Sequence, residues 1–470
     1  MFLRLSTHEW NARIAESTLL VFLLWLTGSC LADFCVNHCS LNSHAKIEER
    51  SPSNFSVMKC PFTLQHVPEP EVTSRPETAL RKRPVLIETP GRVHSYFRTF
   101  ETHPPDGYQF VTGAGSGLVH GTRLRSIANQ VSAVLPQKLL ASLLAYPRRP
   151  AVDLTMAVGM VSFRSAPWIA VLESAADSFI GSRVERPFHL VVRNQLLRDD
   201  CRGILYFFES SRRSLDDAYG RGAFDDKLIH VPLGAPTVPK RKKAQTKEFN
   251  LVFIGSSNFN SVQWFYGRGG VMAVRAYNKL KSEFSNLRLT ILADVPKELE
   301  SHLGSDPRVE IRRNLVFGEE YNDILWKMDA CLLPSMATPW MGFLDAMNHE
   351  LPILTIGTDG NAEVVQDGLT GFVCDPPDSL RNITGTFYFP HRRAAREVAR
   401  AWTQDTSPVV EQMVFRLRSL LKDRELAREL GLNGRRELEP GGKFSLERRN
   451  RRLGYVMGCA LSGSKPSSLD

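Results

Sequence analysis

Arg268, Asp345 and Glu363 each lie in a segment where an apolar run gives way to a glycine or proline turn and then to polar residues. The first segment, FIGSSNFNSVQWFYGRGG (253–270), leaves a strand at Gly255 and Ser256 and delivers Arg268 beside Gly269 at a helix start. Backbone N–H groups at a helix terminus, together with a guanidinium, suit a phosphate. In the second, PSMATPWMGFLDAM (334–347), Thr338 reads as an N-cap and Pro339 as the first helical residue. The amides of that first turn form another anion site. Asp345 follows about two turns in, where a carboxylate can accept hydrogen bonds from a vicinal diol. The third, GTDGNAEVVQDGLTGF (357–372), turns at Gly360 and carries Glu363, with Asp367-Gly368 and Gly371 shaping the return. Taken singly, these are a surface arginine, a solvent-facing helix acid and a helix-start acid favoured by the macrodipole. Together, after successive strands of one sheet, they argue for a ligand bearing phosphate and diol groups.

The elements that must position them alternate strand with helix. In the first half, 84–88, 108–113, 151–160, 167–174, 202–210 and 227–234 read as buried strands, with helical patterns such as 125–145 between. The proline-containing basic stretch APTVPKRKKAQTKEFN (235–250) reads as a linker. A second set of strands follows at 250–255, 287–294, 309–314, 330–335 and 352–357, and Ser407-Pro408 opens a C-terminal helix as N-cap and first helical residue. The pattern predicts an α/β protein of two doubly wound parallel-sheet domains. Their boundaries are 81–236 and 250–405, with linker 237–249, helices 406–456, tail 457–470 and an N-terminal extension 1–80.

Composition describes a soluble globular protein and argues against other classes. Hydrophobic residues make up 43% and charged residues 23% of 470 positions, enough for two cores. The net charge of +9 is concentrated in Arg81–Arg83, Lys240–Lys243 and around Arg448–Arg452, without interleaved aromatics, which argues against nucleic acid. Solvated linkers, or peripheral contact with an anionic membrane surface, account for it. Of eight cysteines, Cys30, Cys35, Cys39 and Cys60 lie in the extension, and Cys201, Cys331, Cys374 and Cys459 are scattered. This reads as free thiols in a reducing compartment, and CVNHC (35–39) lacks a second ligand pair for a metal. The apolar stretch 18–32 leaves a signal peptide, a membrane anchor and a later start at Met58 all open.

The segment DACLLPS…GFLDAMNHELPILTIGTDGNAEVVQDGLTGFVCDP resembles the donor-binding half of retaining glycosyltransferases of the GT-B fold, family 4 (glycosyl transferases group 1), in a prokaryotic branch. FIGS followed by RGG, and LADVP (292–296), match earlier strands of that half; 84–460 match more weakly. The resemblance implies two Rossmann-like domains facing a central cleft and transfer of a sugar from a nucleotide diphosphate-sugar to a hydroxyl acceptor, a glycan or lipid-linked saccharide, with retention. Arg268 takes the place of a lysine on the donor diphosphate, Asp345 that of a glutamate on the ribose, and Glu363 the acidic position of the return loop. Arg268 and Glu363 are thereby the catalytic candidates. Gly255, Ser256, Gly269, Thr338, Met341, Gly342, Phe343, Gly360 and Asn361 complete the donor set. Gly91, Arg92, His94 and His120 are the acceptor-side candidates. The resemblance implies no metal and no cofactor beyond the donor, and a cytoplasmic, membrane-associable protein. Two departures stand out: Ala337 replaces the sugar-facing glutamate eight residues before Asp345, and Ser256 replaces an arginine.

A dinucleotide loop at Gly113, Gly115 and Gly117 lacks the G-x-G-x-x-G spacing and the later ribose-binding acid. A non-catalytic nucleotide- or glycan-binding protein on the same scaffold, and a nucleotide-sugar epimerase, remain as alternatives.

Overall fold

The computed structural model describes residues 83–89, 96–112, 142, 152–173, 186–243, 246–255, 262–313, 318–376 and 406–466, which all fall in one compact unit. The N-terminal extension with its apolar stretch and CVNHC motif, the candidates Gly91, Arg92, His94, His120 and Ser256, the glycine run 113–117 and most of the helical pattern 125–145 lie outside the described residues.

Six parallel strands form the first sheet: β1 (Val85–Thr89), β2 (Tyr108–Thr112), β3 (Leu154–Val158), β4 (Trp168–Leu172), β5 (Cys201–Tyr206) and β6 (Leu228–His230), in the order β2-β1-β3-β4-β5-β6. A second parallel sheet contains β7 (Phe249–Ile254), β8 (Leu287–Leu292), β9 (Val309–Arg312), β10 (Ala330–Leu332), β11 (Ile353–Ile356) and β12 (Gly371–Cys374), ordered β12-β11-β10-β7-β8-β9. Helices cover both faces, so central strands such as WIAVL are buried at every position. The order reverses between β1 and β3 in one sheet and between β7 and β10 in the other. At such reversals the loops leaving the carboxyl ends of adjacent strands part and open a crevice.

Helices of the first half are α1 (Arg98–Thr102), α2 (Arg186–Leu197) and α3 (Glu209–Tyr219). The second half carries α4 (Val262–Gly267), α5 (Gly270–Leu280), α6 (Lys297–Gly304), α7 (Glu319–Trp326), α8 (Trp340–Asn348) and α9 (Asn361–Val364). The chain closes with α10 (Ser407–Lys422), α11 (Arg424–Arg436) and α12 (Leu446–Ser462). Four local expectations shift. Helix α8 is N-capped by Pro339 and begins at Trp340, because the Thr338 hydroxyl is engaged by Asp359 and Gly360 instead. Thr406 stands at the N-cap of α10, with Ser407 already helical. Helix α12 runs past 456 because Met457, Cys459 and Ala460 are buried. Strand β12, read from sequence as a return turn, pairs with β11 through Gly371, where a Cβ would lie 2.1 Å from the Ile353 carbonyl oxygen.

The second core packs β7 and β8 against α5 and α10. The first core contains Ile87, Tyr96, Phe100 and Phe207, and it continues without a break into Trp340 and Met347 of α8 and Leu453 and Met457 of α12. Helix α12 thus returns to the first sheet, and the Tyr108 hydroxyl donates to the Gly454 carbonyl at 3.0 Å. Arg449, fully buried on α12, donates to the Thr99 hydroxyl and to the His103 carbonyl at 2.7 Å and lies 4.7 Å from the centre of the Phe100 ring. The four described cysteines are free and buried, and no helix among the described residues is long and apolar enough to cross a membrane. Arg449→Ala leaves the buried Thr99 hydroxyl without its donor and removes the guanidinium packed on the Phe100 ring. It should lower the unfolding free energy by about 3 kcal/mol in urea titrations.

Candidate active site

The crevice of the second sheet is built from the turns that follow β7 and β10. Gly269, at φ +78°, opens α5, and a Cβ there would lie 2.1 Å from the Pro334 carbonyl oxygen. A Cβ on Gly270 would lie 2.5 Å from the Phe265 ring. The glycine pair therefore allows the α5 start to press against the turn after β10, with Arg268 beside it. Nη1 of Arg268 donates to the Ser335 hydroxyl at 3.1 Å and to the Ala337 carbonyl at 2.7 Å. Gly255, at the end of β7, donates its N–H to Leu292.

The turn after β11 is sewn to the same place. Asp359 holds the left-handed conformation at φ +50°, and its Oδ2 accepts from both the N–H and the hydroxyl of Thr338, each at 2.9 Å. The Gly360 N–H donates to the Thr338 hydroxyl at 2.8 Å, and Asn361 Nδ2 donates to the Ser335 carbonyl at 2.7 Å. The Thr338 amide is thus used within the protein. The first bond inside α8 runs from the Phe343 N–H to Pro339, so the preceding amides of Trp340, Met341 and Gly342 have no acceptor within the helix. Beside Arg268 they form an anion-binding array. Phe343 and Asn361 are buried and act through packing and hydrogen bonding.

Asp345 and Glu363 stand apart from that array. The Asp345 Oδ2 accepts from the Tyr321 hydroxyl of α7 at 3.1 Å. Burial pushes its carboxyl up to about 7, against the opposing pull of that hydrogen bond. Glu363 reaches into the other half of the molecule. Its Oε2 accepts from the Glu209 N–H at 2.7 Å and its Oε1 from the Ser210 N–H at 3.1 Å, with Arg213 at 3.9 Å. Helix α3 has no side-chain cap of its own at Phe208, so Glu363 supplies one from the second sheet. Burial raises its carboxyl, while the two amides pull it down. Trp340 makes a parallel link, with ring centroids 5.6 Å from Tyr96, 5.2 Å from Phe207 and 5.3 Å from Phe208.

Hydrogen bonds therefore join Arg268, Thr338 and Gly360. Asp345 faces Tyr321, and Glu363 faces α3. Sequence reasoning missed Asp359, Trp340 and Tyr321; only Asp359 left a local signal, the Asp-Gly pair of a tight turn. A separate cavity of about 560 Å³, lined by Arg241, Lys242, Arg288, Lys327 and Trp326, lies at the amino ends of β7–β9, the opposite edge from the array.

Residues 241–384 match the family model described as Glycosyl transferases group 1. No curated protein matches the sequence. Among solved structures, a glycosyltransferase from Rickettsia africae ESF-5 aligns over 82% of this chain and 100% of its own, at 13% identity and a TM-score of 0.52. The fold is GT-B. Weaker likenesses include WaaG, a glycosyltransferase involved in lipopolysaccharide biosynthesis, at 15% identity over 80% of this chain and 100% of its own, TM-score 0.48. Anabaena Alr3699/HepE, solved with UDP and glucose, shares 11% identity over 80% of this chain and 99% of its own, TM-score 0.48. The matched segment of this GT-B chain holds Arg268, the α8 amides, Asp345 and Glu363.

Two predictions follow the two carboxylates. Asp345 binds its proton more tightly folded than unfolded, so its contribution to stability falls as pH rises from about 4 to about 7. Asp345→Asn should therefore gain stability relative to wild type across that window and level off above it, as read by denaturant titrations at stepped pH. Glu363→Ala should uncap α3 at a cost of about 1 kcal/mol. Faster hydrogen exchange at the Glu209 and Ser210 amides would register it, and unchanged protection there would exclude the capping role.

Proposed function

We propose that this chain is a glycosyltransferase of the retaining, hexosyl-transferring kind. It moves a sugar from a nucleotide diphosphate-sugar to a hydroxyl of a glycan or lipid-linked saccharide. The observation that carries the reading is the Arg268 guanidinium, pinned to the turn after β10 beside the α8 amides at the point where the strand order reverses. Breaking a bond from a sugar to a diphosphate builds negative charge on the leaving oxygens. A cation and helix amides already fixed in place stabilise that charge without reorganising. Asp345, about a turn and a half along α8, holds the nucleoside ribose through its diol. The departing diphosphate takes the acceptor's proton as the new bond forms, so no protein base is needed. Glu363 acts by position: its cap on α3 fixes the loop that carries Asp359 and Gly360 against Thr338.

A second reading has its own support. Ala337 stands where a sugar-facing carboxylate is expected, and its carbonyl is occupied by Arg268. That favours a chain that binds a nucleotide or glycan without turnover; an epimerase would use the same donor site. Nucleotide release from a panel of UDP-, GDP- and ADP-sugars, with and without mixed saccharide acceptors, separates the three. Acceptor-dependent release supports transfer, isomerised donor supports an epimerase, and tight binding without release supports the non-catalytic reading. Arg268→Ala should weaken nucleoside diphosphate binding about 30-fold or more, the worth of a charge-assisted contact, and leave nucleoside binding nearly unchanged. Equal losses for both, measured by calorimetry, would remove Arg268 from the diphosphate.

A further inference from the structure

The amino ends of the second sheet carry a cavity that the donor array does not use. Its volume is about 560 Å³, in the range that encloses a small molecule. The linker supplies one wall through Arg241 and Lys242. The end of α7 supplies another through Trp326 and Lys327, the C-cap of that helix. Between them, Leu289 and Val309 at the starts of β8 and β9 add apolar surface beside the indole.

The charges around this cavity are unevenly matched. Glu248 pairs with Arg288 at 2.6 Å, Glu310 with Arg312 at 2.7 Å, and Asp323 with Arg241. Each acid that lines the cavity is therefore answered by an arginine. Lys242 and Lys327 line it too, and among the described residues neither ammonium has an ion pair or a hydrogen bond. A helix end is a negative pole and repels anions, but the last carbonyls at the end of α7 are already engaged. Asn250 Nδ2 donates to the Lys327 carbonyl at 3.2 Å, and Lys243 Nζ donates to the Met328 carbonyl at 3.1 Å. The Lys243 ammonium adds positive charge at that pole.

This surplus selects the ligand. A carboxylate brings one negative charge, whereas a phosphate monoester brings about two at neutral pH, on three acceptor oxygens. Lysine binds phosphate as a point charge, so two lysines lacking a carboxylate match one phosphate group. The apolar surface of Leu289, Val309 and Trp326 receives the organic part. We propose that the cavity is a second ligand site, for a small soluble molecule bearing a phosphate monoester, with Lys242 and Lys327 on its phosphate. The site lies at the opposite edge of the sheet from Arg268 and does not depend on the transferase reading.

The test is calorimetry on the full chain carrying Arg268→Ala, which takes the guanidinium of the donor array out of the measurement. The probes are glucose 6-phosphate, fructose 1,6-bisphosphate and inorganic phosphate, with glucose as the neutral comparison. At least one sugar phosphate should bind, more tightly than inorganic phosphate, and glucose should not. Adding Lys242→Ala and Lys327→Ala should weaken that binding about tenfold or more, the worth of a charge-assisted contact. Hydrogen exchange should slow in residues 241–250 and 321–328 without matching protection at Trp340, Met341 and Gly342. Both lysines are exposed; thermal unfolding checks the fold, and Lys327→Gln alone carries the test if the double substitution unfolds the chain. Absence of sugar phosphate binding, unchanged affinity in the folded lysine variant, or protection confined to the α8 amides overturns the site. Binding only to vesicles containing phosphatidic acid also overturns it, since that marks a lipid surface and not an enclosed small molecule.

Discussion

Every strand of both sheets runs parallel to its neighbours, and that constraint places everything else. A parallel pair cannot be closed by a hairpin, so each connection must cross over. All carboxyl ends of one sheet then share an edge, and the turns leaving them gather along it. Most adjacent turns veer the same way and close the space between them. Only at a reversal of strand order do they part. The turns carrying Arg268 and Ala337 flank one reversal, and Glu88 and Arg164 flank the other.

The two sheets are joined by contacts that come from the same functional turns. Trp340, the first residue of α8, is buried among Tyr96, Phe207 and Phe208 of the first half. Covering an indole of that size contributes roughly 4 kcal/mol. Glu363 adds the α3 cap, and Lys443 secures the Glu363 carbonyl at 2.6 Å. Helix α12 then ties the end of the chain to the first sheet through Arg449 and Tyr108. The aromatic contacts of Trp340 and the Arg449 hydrogen bonds lie in poorly solvated surroundings, where each is stronger than on an open surface.

How much of this could be read beforehand follows from where each partner lies in the chain. Strands such as WIAVL and NLVFI announce themselves, because burial on both faces demands unbroken apolar runs. Strand β12 does not, being four residues long and opened by a glycine whose role is close approach to β11. Thr338 has the side chain of an N-cap and the right place, but Asp359 and Gly360 compete for its hydroxyl and win. The acidic character of positions 345 and 363 was legible, and their partners were not. Tyr321 is 24 residues from Asp345, and Glu209 is 154 from Glu363. The Glu88–Arg164 pair, 76 residues apart, left no local trace either. Spacing reports helix faces and turns; it does not report which distant carboxylate fills a helix end.

The turn after β11 ties the start of α3 to the threshold of α8 because its two carboxylates reach in opposite directions. Asp359 reaches back to the Thr338 amide at the threshold of α8, and Glu363 reaches across to the α3 amides. Only Asn361 and Ala362 separate Gly360 from Glu363, both inside the short helix α9, so the turn is short and fixed at both ends. The turn thereby links the first amides of α3 to Thr338, just ahead of the start of α8. Coupling of this kind needs no long pathway. It needs two anions on one tight turn, each held by backbone N–H groups of a different half of the molecule.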